Sequence, residues 1–360
     1  MKSCLTNNNI KSLIKIIANI AIITSISLIG FFLLLSIILN YPLLYSSHKS
    51  LLSLKRDIYL NHRPVIQYSP DCARYDNQLL YTLKEGQCLF GTADTGLHSY
   101  KINKFGIRDD EDIKNSKIAI LGDSFAMGWG VDNKKIFPSI LEENTKKKVV
   151  NMAISSYGTA REFTIFRRIF DNKEKLKNLE YLILQYCGND YEENIDYVNN
   201  NYQITKKDQV IFSDAQKYNE KMLQYNYFRQ IFKALKFKVK NIKFFKKSNL
   251  DENNIANSNI HQFSTFLDIV NKEISTNKFL PKNLKIIIFN TEPHLLPSDF
   301  YNQVSSQLKQ EKYKKIRDKI TLINIPSQLN SQDYFLLDDH INENGHKKIA
   351  EIITNTISNH

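Results

Sequence analysis

The stretch SKIAILGDSFAMGWGV, residues 116–131, governs how the rest of the chain is read. Lys117 to Leu121 make a short apolar run of the kind that forms a buried strand. The run stops at Gly122-Asp123-Ser124. These are turn and helix-capping residue types, so the plain reading is a tight turn in which Asp123 hydrogen-bonds the backbone. The same turn would hold the Ser124 hydroxyl beyond the carboxyl edge of a sheet, where open α/β sheets keep their sites. A serine there is a nucleophile only with a base, an orienting carboxylate and donors for an oxyanion.

Outward from this stretch, strands and helices alternate. A helix is expected over Ile136–Asn144, a strand over 148–154, a helix from Thr159 and a strand over 179–186. Further on come a strand at 284–290, a helix from Asp299, a strand at 321–325 and a last helix in ENGHKKIAEIITNTIS. Short β-branched runs between helical segments predict a parallel sheet covered by helices, an α/β fold. Residues 195–283 break the rhythm and read as an insertion. It contains the basic, aromatic YFRQIFKALKFKVKNIKFFKKS and an Asn-rich loop. The basic part suits either a membrane surface or a helix with a solvated lysine face.

The N-terminal region obeys different rules. Residues 16–40 are uncharged and mostly apolar, long enough to span a bilayer as a helix. No small-residue cleavage site follows Leu39, so an uncleaved anchor is expected. Lys2, Lys11 and Lys15 precede it without an acid, which puts residues 1–15 in the cytoplasm and everything after Tyr41 outside a bacterial-type cytoplasmic membrane. Residues 41–65 read as a juxtamembrane connector, and 66–116, rich in turns and aromatics, as an accessory lobe with strands near 80–83 and 98–102. In an oxidising space Cys72 and Cys88 can pair, closing a loop for roughly 3 kcal/mol; the alternative is two unpaired thiols. Cys4 would be cytoplasmic and Cys187 a buried thiol.

The 360 residues carry a net charge of +12, but lysine is spread along the chain and no nucleic-acid-binding signature accompanies it. No nucleic acid is expected as a partner. No Cys/His spacing matches a zinc site, so no metal is expected.

The remaining parts of the Ser124 chemistry stand after the later strands, in SSYGTARE (155–162), CGNDYEEN (187–194) and DDHINENGH (338–346). With ILGDSFAMGWG these four blocks, in this order, resemble the SGNH hydrolases, the GDSL-type esterase and lipase superfamily. The likeness covers residues 117–195 and 284–355. It implies a three-layer α/β/α, flavodoxin-like parallel sheet and a serine esterase needing no cofactor. Ser124 would be the nucleophile, His340 the base, and the oxyanion donors the backbone N–H groups of Ser124 and Ser156 and the side chain of Asn189.

Two departures stand out. Ser156 occupies the position where the family usually has glycine, and serine resists a positive φ. Leu337 occupies the usual place of the acid, three before the histidine, so the acid is Asp338, by the Asp-x-His spacing of some relatives, or Asp339. Gly158 and His294 are candidate substrate-lining residues, and His346 a structural one. Arg161 and Glu162 form an ion pair or touch substrate. The expected activity is cleavage of an acyl ester, first an O-acetyl group on a cell-surface glycan or glycolipid, second a lipid ester. An O-acyltransferase would use the same site, and a non-catalytic glycan-binding or membrane-complex module is the reading from another class.

Overall fold

The computed structural model describes residues 7–109, 113, 115–222, 230–236, 252–291 and 297–359. Cys4 and His294 lie outside them, as does most of the basic stretch. Among the described residues the chain makes two compact units. The first holds residues 7–61 and 230–236, the second the rest from His62 onward.

The first unit is helical. Its opening helix, Asn7–Asn40, has 34 residues. Within Lys11–Asn40, 18 consecutive residues reach a mean hydropathy of 2.7. At 1.5 Å per residue it is about 50 Å long, more than the ~30 Å hydrocarbon core of a bilayer. Ile14, Ile26 and Leu34 are all exposed. Two shorter helices, Pro42–Ser46 and Lys49–Leu60, follow.

The second unit begins with two antiparallel hairpins. β1 (Ala73–Asp76) pairs with β2 (Leu80–Leu83), and β3 (Gly86–Thr92) with β4 (Gly96–Ile102). Cys72 and Cys88 are disulfide-bonded, with Cα atoms 5.3 Å apart, which ties the first hairpin to the second.

Five strands then form one parallel sheet: β5 (Ile118–Leu121), β6 (Val149–Asn151), β7 (Tyr181–Tyr186), β8 (Lys285–Asn290) and β9 (Ile320–Ile323). Their order is β6-β5-β7-β8-β9. Register runs Ile118 opposite Val149 and Tyr181, Tyr181 opposite Lys285, and Ile286 opposite Ile320. Alternation along each strand sends side chains to opposite faces. Ala119 and Leu121 pack with Phe163, Phe166, Phe263 and Val304. Ile118 and Ile120 pack with Phe137, Leu141, Ile349 and Ile353. Two helical layers thus sandwich the sheet, an α/β/α arrangement. Each fully buried aliphatic or aromatic side chain contributes about 1.5–3 kcal/mol, which is why the sheet withstands the polar site at its edge.

Part of the segment read as an insertion is a covering helix. Glu252–Thr276 runs between β7 and β8, and Phe263, Phe266, Leu267 and Val270 bury its core face. The Asn-rich stretch from Glu252 onward is therefore helical rather than a loop. The strand expected over 148–154 is shorter, Val149–Asn151, because the chain leaves the sheet to enter the turn at 155–156.

Candidate active site

The order β6-β5-β7 makes the chain leave β5 first to one side and then to the other. Such a reversal opens a crevice beyond the strand's carboxyl end. Ser124 sits there, three residues past β5, as the first residue of the short helix Ser124–Met127. Asp123 caps that helix by accepting from Phe125 N at 3.0 Å. A side chain on Gly122 would meet Gln185 Oε1 at 2.7 Å and Ala126 Cβ at 2.8 Å, so only glycine lets the strand turn this tightly.

The structure brings Ser124, His340 and Asp338 together. His340 Nε2 lies 2.6 Å from Ser124 Oγ, and His340 Nδ1 lies 2.5 Å from Asp338 Oδ1. Nδ1–H facing the carboxylate leaves Nε2 as the acceptor of the serine proton. Asp338 is completely buried, whereas Asp339 is 30% exposed and 3.3 Å from Nδ1. Burial pushes the Asp338 carboxyl up, but His340 and Arg63 outweigh it and hold it well below the usual carboxylate range.

Several supports were not legible in the motifs. The Trp129 indole N–H donates to Asp338 Oδ2 at 3.2 Å, and its ring stacks on His340 with centroids 5.0 Å apart. Asp94, at the tip of the β3–β4 hairpin, accepts from the backbone N–H groups of Leu337 and Asp338 at 2.8 and 2.9 Å. The hairpin thereby braces the histidine loop. Arg63 pairs with Asp338 and, at 2.9 Å, with Asp339. Asp338, Asp339 and His340 bring potential metal-ligand atoms within 4.8 Å of one another. The cation these carboxylates hold is the Arg63 guanidinium. A sequence signal existed only for Trp129, the sole tryptophan, five residues after Ser124.

A cavity of about 140 Å³ opens over Ser124 and His340. Ser124, Ser156, Asn189 and His340 line it, with Arg63 and Cys187. Cys187 is buried and forms no disulfide. Asn189 is exposed at the start of helix Asp190–Asn199 and donates to Asp123 Oδ2 at 3.4 Å. Ser156 has φ +57°, in the left-handed region that serine resists and glycine accepts. Among the described residues, nothing accepts from the N–H groups of Ser124 or Ser156.

Other candidates fall outside the cavity. Gly158 is buried at the start of helix Thr159–Ile169, where an added Cβ would meet Glu193 at 3.0 Å; it lines no part of the cavity. Arg161 pairs with Glu193, not with Glu162. Glu162 is buried, and burial, followed by Asp123 and Glu193, pushes its carboxyl well up. Asp190 is raised in the same way, by burial and then by Glu162. His346 is buried, its Nδ1 accepting from Phe137 N at 3.1 Å, which ties the last helix to Phe137–Thr145.

No family model matches the chain, and no curated protein does. Solved structures do. The lipase Lip_vut3 from a goat rumen metagenome is 14% identical, covering 66% of this chain and 95% of its own, with TM-score 0.37. The M. smegmatis aryl esterase is 12% identical over 68% of this chain and 99% of its own, with TM-score 0.34. The acetyl xylan esterase Est2A of Butyrivibrio proteoclasticus is 11% identical over 70% of this chain and 66% of its own, with TM-score 0.35.

Proposed function

We propose that this chain is a membrane-anchored serine esterase of the SGNH type, which cleaves a short acyl ester, first an O-acetyl group on a cell-surface glycan or glycolipid. One observation carries the proposal: the continuous relay Ser124 Oγ, His340 Nε2, His340 Nδ1, Asp338 Oδ1, with links of 2.6 and 2.5 Å.

Ser124 Oγ attacks the acyl carbon while His340 Nε2 takes the hydroxyl proton. Asp338 keeps the imidazole in the tautomer that can accept it and balances the imidazolium that forms. The carbonyl oxygen becomes an oxyanion facing the N–H groups of Ser124 and Ser156 and the Asn189 side-chain amide. As the bond to the leaving alcohol breaks, His340 returns the proton to the alcohol oxygen. An acyl-Ser124 ester remains. Water then attacks it, giving its proton to His340, and the carboxylic acid leaves as Ser124 regains its hydrogen.

The small cavity, walled by Phe125 and Trp129, supports a short acyl group. The helix Asn7–Asn40 supports an anchor and a substrate at the membrane face, and the positive-inside rule supports a catalytic unit outside. The Cys72–Cys88 bond supports an oxidising compartment.

Full-length protein in detergent micelles, treated with a fluorophosphonate probe, should be labelled at Ser124, and Ser124→Ala should not be. Short acyl esters should then be hydrolysed, acetyl best. A folded protein that neither labels nor hydrolyses would refute the esterase and favour a binding module.

A further inference from the structure

Ser156 poses a problem that the relay does not answer. Its φ of +57° is one that L-residues rarely adopt, and glycine is what the motif leads one to expect there. Something outside the turn has to hold it. Rotation about its N–Cα bond would re-aim the Ser155–Ser156 peptide, and that peptide carries the N–H which the proposed chemistry uses.

Gln67 is buried, and its side-chain amide grips both residues of the turn. Its Nε2 donates to Ser156 Oγ at 2.9 Å, and its Oε1 accepts from Ser155 Oγ at 2.9 Å. Tyr81 OH donates to Ser155 O at 2.7 Å, and Arg161 Nη2 donates to Ser156 O at 2.6 Å. Among the described residues, only Gln67 hydrogen-bonds the side chain that glycine would lack. Gln67 is itself fixed by a strap. It sits in the short 3-10 turn Ile66–Tyr68, and one residue before that turn both backbone groups of Val65 are held by the Asn219 side chain, at 2.7 and 3.1 Å.

We propose that Gln67 is a positioning residue for the reaction, which locks Ser155-Ser156 in the left-handed turn that presents the Ser156 N–H to the oxyanion. This rests on the esterase reading. The serine at 156 and the glutamine at 67 then form one device: the hydroxyl gives the clamp a handle, and the clamp replaces the conformational freedom of glycine. Neither residue is sufficient alone. Gln67 touches no reacting atom, so its removal should lower kcat with little change in KM.

The test is a double-substitution cycle in the full-length protein in detergent. It reads kcat and KM on p-nitrophenyl acetate, the rate of fluorophosphonate labelling at Ser124, and the melting temperature. Gln67→Ala should lower kcat about 10- to 100-fold with Ser156 present, less than outright loss of an oxyanion donor costs. In a Ser156→Gly background the same Gln67→Ala change should cost less than about threefold, because glycine holds the turn unaided. A merely structural glutamine would cost the same in both backgrounds. Equal losses in the two backgrounds, or an unchanged kcat in Gln67→Ala, overturn the proposal. If Gln67→Ala does not fold, Asn219→Ala slackens the strap from outside. Its kcat should also fall, and fall less with glycine at 156; no difference between backgrounds overturns the proposal. An inactive, unlabelled wild type overturns the esterase and this inference together. An active wild type indifferent to Gln67 overturns this inference alone.

Discussion

Two adjacent aspartates precede His340, and the structure gives them unequal standing. Asp338 is completely buried and accepts from His340 Nδ1 at 2.5 Å, from His340 N at 3.2 Å and from Trp129 Nε1 at 3.2 Å. Asp338→Asn keeps the shape but places an amide NH2 on one side. If that NH2 faces Nδ1, the imidazole must accept there and carry its proton on Nε2. The nitrogen beside Ser124 Oγ is then a donor and cannot take the hydroxyl proton. Loss of the correct tautomer in such a triad lowers kcat by about 10⁴, equivalent to about 5.4 kcal/mol of barrier. Asp339 is 30% exposed and 3.3 Å from Nδ1. An exposed charge at that distance is worth about 1 kcal/mol or less, so Asp339→Asn should lower kcat less than about tenfold. Steady-state hydrolysis of p-nitrophenyl acetate measures both, with melting curves to confirm folding. KM should barely move in either. An Asp339→Asn loss equal to or larger than that of Asp338→Asn would refute the assignment.

Asn189 can be removed with little effect on the fold, because its side chain makes no capping bond to the helix it precedes and its bond to Asp123 Oδ2 is long, at 3.4 Å. Asn189→Ala should lower kcat by about 10²–10³ without shifting the melting temperature; a smaller effect removes it from the oxyanion site. His346 gives a pH test of the fold. Burial, followed by Arg108 and His340, pushes it down to about 3, whereas an unfolded histidine titrates near 6.5. Between those values the unfolded chain binds a proton that the folded chain refuses. Stability should therefore fall by about 1.4 kcal/mol for each pH unit below 6.5. Denaturant unfolding from pH 7 to 4.5 should show a flatter limb in His346→Gln, and equal slopes reject the idea.

What the sequence showed and what it hid divide along a physical line. Strand runs such as Lys117–Leu121 are legible because burial on both faces demands consecutive apolar residues. Ser124, Asn189 and His340 are legible because each stands in a short block beside a predicted element. The helix Glu252–Thr276 was hidden because its first third is Asn-rich. The apolar spacing Phe263, Phe266, Leu267, Val270 begins only later, and it marks a core face once the sheet is known. Gln67, Arg63 and Asp94 were hidden for a different reason. Each acts across a large separation: Arg63 on Asp338 spans 275 residues, Asp94 on Leu337 spans 243, and Gln67 on Ser156 spans 89. No periodicity or local motif encodes such a partner.

That division bears on how the site is built. Ser124, Ser156 and Asn189 follow strands and Asp338 and His340 lie in the loop before the last helix, but what holds them comes largely from the segment before the sheet. Residues 63–67 contribute Arg63 to Asp338 and Gln67 to the Ser156 turn, and the β3–β4 hairpin contributes Asp94 to the histidine loop. Asn219, in the helix Gln209–Met222, pins the strap between the two. The accessory segment is thus a brace whose hydrogen bonds end on the site. A left-handed serine is tolerable here because its surroundings over-determine it, and such local strain persists only where they do. The place to look for altered catalysis is therefore as much residues 63–94 as the four motifs themselves.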